Sequence, residues 1–156
     1  MLIIQSIVNI SEVNFYIMSS IIKLRGKGVS RIINSKVMLS PLAGVTDKIF
    51  RKLVRKWAPE SLLFTEMINA TSLKHGYGTQ KIKQLELEKG PVGVQIFDNR
   101  PFAVSEAAKL AEDSGAFLID INMGCPVKKI SRKGGGSALI NDRLLAIELV
   151  KRVSNA

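Results

Sequence analysis

The chain has 156 residues, 23 Lys+Arg against 13 Asp+Glu and a formal net charge of +10, with a pI near 10.0. That length suits one ordinary domain with a real core, and so basic a balance makes a polyanion the expected partner, nucleic acid ahead of a membrane surface. One cysteine allows no internal disulfide and fits a reducing cytoplasm, and one cysteine with one histidine leaves no cluster for a zinc site.

Residues 1–25 read as a poorly defined N-terminal extension. Leu2, Ile3, Ile4, Ile7 and Val8 are apolar, but Gln5, Asn9, Ser11 and Glu12 interrupt them, well short of the ~18 consecutive apolar residues that suggest a membrane span. No basic segment precedes the run and no small-residue cleavage site follows it, so it is a poor signal peptide. Met18 offers an alternative start.

From Gly26 to Lys36 the chain is basic and turn-rich, with Ile32 and Ile33 as a candidate short strand. The first clear strand is Val37-Met38-Leu39, closing in Ser40-Pro41-Leu42-Ala43-Gly44. A helix capped by Thr46 or Asp47 follows. Ile49, Phe50, Leu53, Val54 and Trp57 recur on one face at helical spacing, while Lys48, Arg51, Lys52, Arg55 and Lys56 cover the other. The second strand is predicted over 62–65, running into Glu66, and a broken helix over 70–90, interrupted by Gly76 and Gly78. The third strand is Val92–Phe97; Asp98 or Asn99 caps the next helix, Pro101 suits its first turn, and Ala103, Ala107, Leu110 and Ala111 form its buried stripe. The fourth strand covers Phe117, Leu118, Ile119 and Ile121, and a last helix from about Asp142 carries Ala146, Leu149, Val150 and Val153 on one face.

Strand–helix alternation at intervals of roughly 25–30 residues predicts an α/β fold with a parallel sheet and helices outside it. An open dinucleotide-binding sheet would place Gly-x-Gly-x-x-Gly after its first strand; here Pro41-Leu42-Ala43-Gly44 stands there. Glu66, Gln95, Asp120 and Asn122 all fall near the carboxyl ends of successive strands, where TIM barrels place their chemistry, although a complete barrel needs ~250 residues. The expected domain is therefore an incomplete TIM-type barrel, its first four βα units, over residues 26–156.

The chain's one cysteine, Cys125, lies between Gly124 and Pro126 directly after the fourth strand. A thiol in such a turn, beside Lys128, Lys129, Arg132 and Lys133, is a candidate proton donor or nucleophile. The plain alternative is a small side chain filling a strand-to-loop corner. The basic residues can meet RNA phosphates or form a solvated loop. The Gly134-Gly135-Gly136 run can hinge that loop or merely link it to the last helix.

Pro41-Leu42-Ala43-Gly44-Val45-Thr46-Asp47, Val94-Gln95-Ile96 and Asp120-Ile121-Asn122-Met123-Gly124-Cys125-Pro126 together resemble the tRNA-dihydrouridine synthase family. The likeness runs from about Val37 to the C-terminus. It implies a TIM-barrel flavoenzyme that uses FMN, with NADPH as reductant, to reduce the C5–C6 double bond of uridines in tRNA. It implies Cys125 as the acid that protonates C5, Pro41, Leu42, Ala43 and Gln95 as flavin contacts, and Asn122 near the extruded uracil, with Lys128, Lys129 and Arg132 toward RNA phosphates. The family's flavin-contacting lysine, its histidine segment and its phosphate-binding loops lie on later strands that these residues do not include. The implied object is thus the N-terminal half of the barrel, weakly active or inactive alone, with self-association or a complementing half-barrel as possible partners and no membrane. The rival expectation is a catalytically silent, basic RNA-binding half-barrel. Another FMN barrel acting on a small molecule such as dihydroorotate would leave Asn-Met-Gly-Cys-Pro and the basic surface unexplained.

Overall fold

The computed structural model describes residues 22–26, 29–33 and 35–156. Most of the expected N-terminal extension, Met18 included, lies outside them. The described part opens with a hairpin across the expected boundary at residue 26: β1 (Ile22–Gly26) pairs antiparallel with β2 (Val29–Ile33). Only the Ile32-Ile33 end of it was legible, because Gly26 and the basic residues around it hide the alternation.

The main sheet contains β3 (Met38–Leu39), β4 (Leu62–Phe64), β5 (Ile68–Asn69), β6 (Val92–Phe97) and β7 (Leu118–Ile121), and every pairing in it is parallel. β4 pairs with the start of β6 and β5 with its end, on the same flank, so residues 62–69 act as one strand broken in its middle. β7 takes the other flank of β6. Spatial order therefore follows chain order, with none of the reversal that marks a doubly wound sheet. The helices between strands are α1 (Lys48–Trp57), α2 (Ala70–Lys74), α3 (Thr79–Lys83) and α4 (Pro101–Asp113), and α5 (Lys128–Ser131) and α6 (Arg143–Ser154) follow β7. Among the described residues no helix is long and apolar enough to cross a membrane.

Strand alternation gives the sheet two different faces. Val92, Val94 and Ile96 point into the larger core with Val104, Ala107 and Ala111 of α4 and Leu149 of α6; each such buried aliphatic side chain larger than alanine contributes ~1.5–3 kcal/mol of transfer free energy. Leu62 and Phe64 face the other way, onto Ile33 of the hairpin with Phe117 and Leu118. Gly93 lies on that second face because nothing larger fits: a Cβ there would stand 2.6 Å from the Phe64 ring and 3.0 Å from Leu118. Beyond Gly93 the same face turns polar, with Gln95 and then Asp120 and Asn122.

α1 departs from the expectation. Asp47 caps it, accepting from the Phe50 N–H at 2.8 Å, but its apolar face is not the buried one. Ile49 is 80% exposed and Trp57 86%, whereas Arg51 is only 3% exposed. The guanidinium of Arg51 pairs with the Glu88 carboxylate and donates to the Thr46 carbonyl at 2.6 Å. Those partners, 37 and 5 residues away in sequence, turn the helix to bring a charge inward. A periodicity count cannot see a partner supplied by a distant turn. α4 also starts differently: Arg100 is its N-cap residue, without a side-chain cap bond, and Asp98 serves elsewhere.

Glu88→Leu should leave the Arg51 guanidinium buried and unpaired. Urea denaturation is expected to show a loss of about 3–5 kcal/mol, most of which returns in the double variant Arg51→Met/Glu88→Leu.

Candidate active site

Because β6 and β7 are parallel and in register, Gln95 lies opposite Asp120, on the face that Gly93 opens. The Gln95 backbone N–H donates to Thr65 Oγ1 at 3.2 Å, which fixes the residue from the β4 side. Its side chain, only 3% exposed, donates from Nε2 to Asp120 Oδ2 and accepts at Oε1 from Asn122 Nδ2 at 3.0 Å. Asn122 Oδ1 in turn accepts from the N–H groups of Gly124 at 3.1 Å and Cys125 at 3.0 Å. An unbroken row of side chains thus runs from a carboxylate on β7 to the backbone of the cysteine turn. Such local side-chain-to-backbone bonds are what shape an asparagine turn.

The turn is braced from behind as well. The Cys125 carbonyl accepts from the Ser137 N–H at 3.0 Å. Gly136, at φ +57°, approaches so closely that a Cβ would stand 2.6 Å from that carbonyl. Gly135 and Gly136 are buried, so the end of the glycine run is a packed strut under the cysteine. Cys125 itself is half-buried and free. The basic segment after it forms α5 and a turn, a short helix that no local periodicity predicts; Asn99 Nδ2 holds that turn to the end of β6 by donating to the Lys133 carbonyl at 2.6 Å. Lys128, Lys129, Arg132 and Lys133 are all exposed. None of the five ion pairs among the described residues involves them. A cleft of about 500 Å³ opens there, lined among others by Met67, Phe97, Arg100, Lys129 and Lys133. A larger apolar groove of about 930 Å³ runs between α2 and α4, past Leu73 and Phe102, on the helical side of the molecule.

Pro41, Leu42 and Ala43 follow β3 at the same end of the sheet, two strands from Gln95. Leu42 and Ala43 are exposed and Pro41 is half-buried. The Thr46 hydroxyl closes this turn, accepting from the Leu42 N–H at 3.0 Å and donating to the Leu42 carbonyl at 3.1 Å. The Gly44 N–H donates to Glu66 Oε1 at 2.7 Å, and Glu66 Oε2 meets Lys81 Nζ at 2.7 Å. Gln95, Asn122 and Cys125 are therefore joined directly, whereas residues 41–43 are held by a separate set of bonds.

Three carboxyl groups near the strand ends are perturbed in different ways. Burial pushes the Asp120 carboxyl up, and the Gln95 hydrogen bond only partly offsets it. The hydrogen bond from Lys81, then that from Gly44, hold Glu66 below its ordinary value. At Asp98 burial acts upward, but bonds from Arg100 and Thr71 outweigh it and the net shift is downward. That buried carboxylate accepts from the Thr71 N–H at 2.9 Å and from Arg100 Nε at 2.9 Å, clamping the start of α2 to the end of β6. Thr65 carries no motif that would have marked it, and the parts that Asp98 and Gly136 play differ from the cap and hinge their local sequence suggests, because Thr71 and the Cys125 carbonyl lie elsewhere in the chain.

A family model for dihydrouridine synthase (Dus) matches residues 38–156. The chain is 45% identical over 124 residues to a probable tRNA-dihydrouridine synthase 1 of Synechocystis sp., covering 80% of this chain and 35% of that protein. It is 43% identical over 124 residues to tRNA-dihydrouridine synthase B of Xanthomonas axonopodis pv. citri, with 78% and 35% covered. With tRNA-dihydrouridine synthase B of Vibrio parahaemolyticus it shares 36% over 127 residues, with 80% and 38% covered. The chain thus spans between a third and two fifths of the length of these relatives.

Asn122→Ala should strand the Gly124 and Cys125 N–H groups and Gln95 Oε1, at a cost of about 1–3 kcal/mol, and speed hydrogen exchange at residues 124 and 125. A second test concerns pH. Glu66, with a lowered pKa, contributes stability above the ordinary glutamate value that is lost as pH falls through the folded value. Asp120, with a raised one, contributes stability below the ordinary aspartate value that fades as pH rises through the folded value. Glu66→Gln should therefore be less stable than the parent at neutral pH, and their unfolding midpoints should converge as the pH is lowered.

Proposed function

The chain belongs to the dihydrouridine synthase family, and from that premise we propose that its described residues are the flavin- and uridine-facing half of a barrel enzyme that reduces uridine in tRNA. The observation that carries the reading is the conjunction of a braced, half-buried Cys125 with four cations in the eight residues after it that have no ion-pair partner among the described residues. Chain-ordered parallel strands with their helices between them are the winding of a βα barrel, and four such units suit half of one.

FMN, reduced by NADPH, would supply the hydride for the C5–C6 bond. The residues present fit its ring: Leu42 and Ala43 leave an open backbone surface for a flat group. Gln95 keeps one N–H and one acceptor lone pair after its bonds to Asp120 and Asn122, which suits a mixed donor–acceptor edge. The protein's part is then placement. Cys125 delivers the S–H proton to uracil C5. Asn122 has both lone pairs of Oδ1 committed to the turn and one Nδ2 hydrogen on Gln95, so it can meet a uracil carbonyl only as a donor, through the Nδ2 hydrogen that faces Met67 Sδ at 3.7 Å. A base enters such a site once extruded from the RNA stack. Lys128, Lys129 and Arg132 hold the flanking phosphates, beside a cleft that also presents Arg100 and Lys133. The single free thiol suits the reducing cytoplasm in which such a reaction would run.

Binding of tRNA measured against salt tests the basic segment. Lys128→Ala/Lys129→Ala/Arg132→Ala should reduce the slope of log K against log[salt] by about 2–3, as expected for three lost phosphate contacts. Cys125→Ala should retain tRNA and FMN binding and lose uridine reduction. Reduction that survives Cys125→Ala overturns the assignment of the acid. Binding of tRNA without FMN uptake or turnover in the parent chain favours the rival reading, a catalytically silent RNA-binding half-barrel.

A further inference from the structure

Asp120 has no part in the chemistry above, yet it ends the row of hydrogen bonds that reaches Cys125. We infer that Asp120 is a positioning residue: its acceptor-only carboxylate sets the orientation of the Gln95 and Asn122 carboxamides and, through them, the turn that carries Cys125.

The row has a direction, and both ends impose the same one. At the turn, the backbone N–H groups of Gly124 and Cys125 can only donate, so Asn122 must show them Oδ1. Nδ2 of Asn122 then faces Gln95, which must answer with Oε1. Nε2 of Gln95 is left pointing across the sheet to its register partner, residue 120. An aspartate there accepts and, when ionised, cannot donate. With an asparagine at 120 a turned-over Gln95 would find a partner equally well, because an amide offers both a donor and an acceptor. That inversion would set Nε2 of Gln95 against Nδ2 of Asn122, two donors face to face. Asn122 could escape only by turning its own Nδ2 onto two N–H groups, or by moving the turn.

Little else can absorb the mismatch. Gln95 is almost fully buried, its backbone is held by Thr65 and by β7, and a mismatched polar contact in such a place is expensive. The consequence for catalysis rests on the reading of Cys125 as the acid. The relay does not, and neither measurement below requires turnover, so the two can fail separately.

Cys125 is the chain's only cysteine, so its alkylation rate reports the turn without interference. In Asp120→Asn the side-chain amide resonances of Gln95 and Asn122 should both broaden or double, the backbone amides of residues 124 and 125 should shift, and alkylation should accelerate by about three- to tenfold, the range that one net hydrogen bond spans. In a Gln95→Met background, Asp120→Asn should then leave the alkylation rate unchanged, since the route to the thiol is already cut. If the acceleration persists in that background, the carboxylate acts on the thiol through space and the relay is refuted. Changes confined to Gln95, with Asn122 and the turn unmoved, refute it equally. The parent chain provides a check that needs no variant. Its Gln95 and Asn122 side-chain amide protons should exchange with solvent at least tenfold more slowly than those of the exposed Gln80, and exchange as fast as at Gln80 would overturn the proposal.

Discussion

The register of two parallel strands holds this molecule's site together. With β6 and β7 aligned so that Gln95 stands opposite Asp120, a carboxylate, two carboxamides and two backbone N–H groups fall into one row with every donor facing an acceptor. A slip of one residue would send Gln95 to the helical face and bring an aliphatic side chain into the row. The cysteine turn has no regular secondary structure of its own; its shape comes from Asn122 in front and from Ser137 and Gly136 behind. A loop thus acquires the placement of the sheet to which it is bonded, which is how a reactive group on an irregular segment can be held within reach of a substrate atom.

Charge is divided by purpose in the same way. Arg51, Glu88 and Asp98 are inward-facing groups whose partners offset the cost of burial, Asp98 drawing on the exposed Arg100 and on the Thr71 N–H. They tie α1 to the turn after α3, and α2 to the end of β6. The cations that follow the cysteine have no such internal partner among the described residues, and a net charge of +10 leaves them free for an anion from outside. Compensated charges build the frame, and uncompensated ones mark the face that meets RNA in the proposed function.

The apolar exposure of α1 belongs to the same account. Ile49, Leu53 and Trp57 are exposed on the helix that follows the short strand β3, while the interior side of that helix is held by arginine. Helix–sheet packing in this chain is strongest around α4, where small alanines let the helix settle onto Val92, Val94 and Ile96, and weakest at α1.

Much of this arrangement was legible along the chain. The apolar runs at 92–97 and 118–121, the breaks at Gly76 and Gly78, a cap at 46 or 47, the start of the last helix near Asp142 and the alternation of strand and helix follow from local periodicity and turn chemistry, which depend only on near neighbours. So did the gathering of Gln95, Asn122 and Cys125 at the strand ends, since parallel strands share one carboxyl edge. What the local pattern could not contain was pairing across distance. Arg51 turned inward because Glu88 was there to receive it; Asp98, one of two cap candidates, holds Thr71 as well as its own turn; and Asp120 became the terminus of a relay because Gln95, 25 residues earlier, arrived opposite it. The sequence by itself determined which elements form and which polar residues fall at the strand ends, because those are properties of short stretches. Only the tertiary structure decided which side of α1 is buried and what orients the cysteine, because hydrogen bonds and ion pairs between distant residues depend on the register and packing that bring them together.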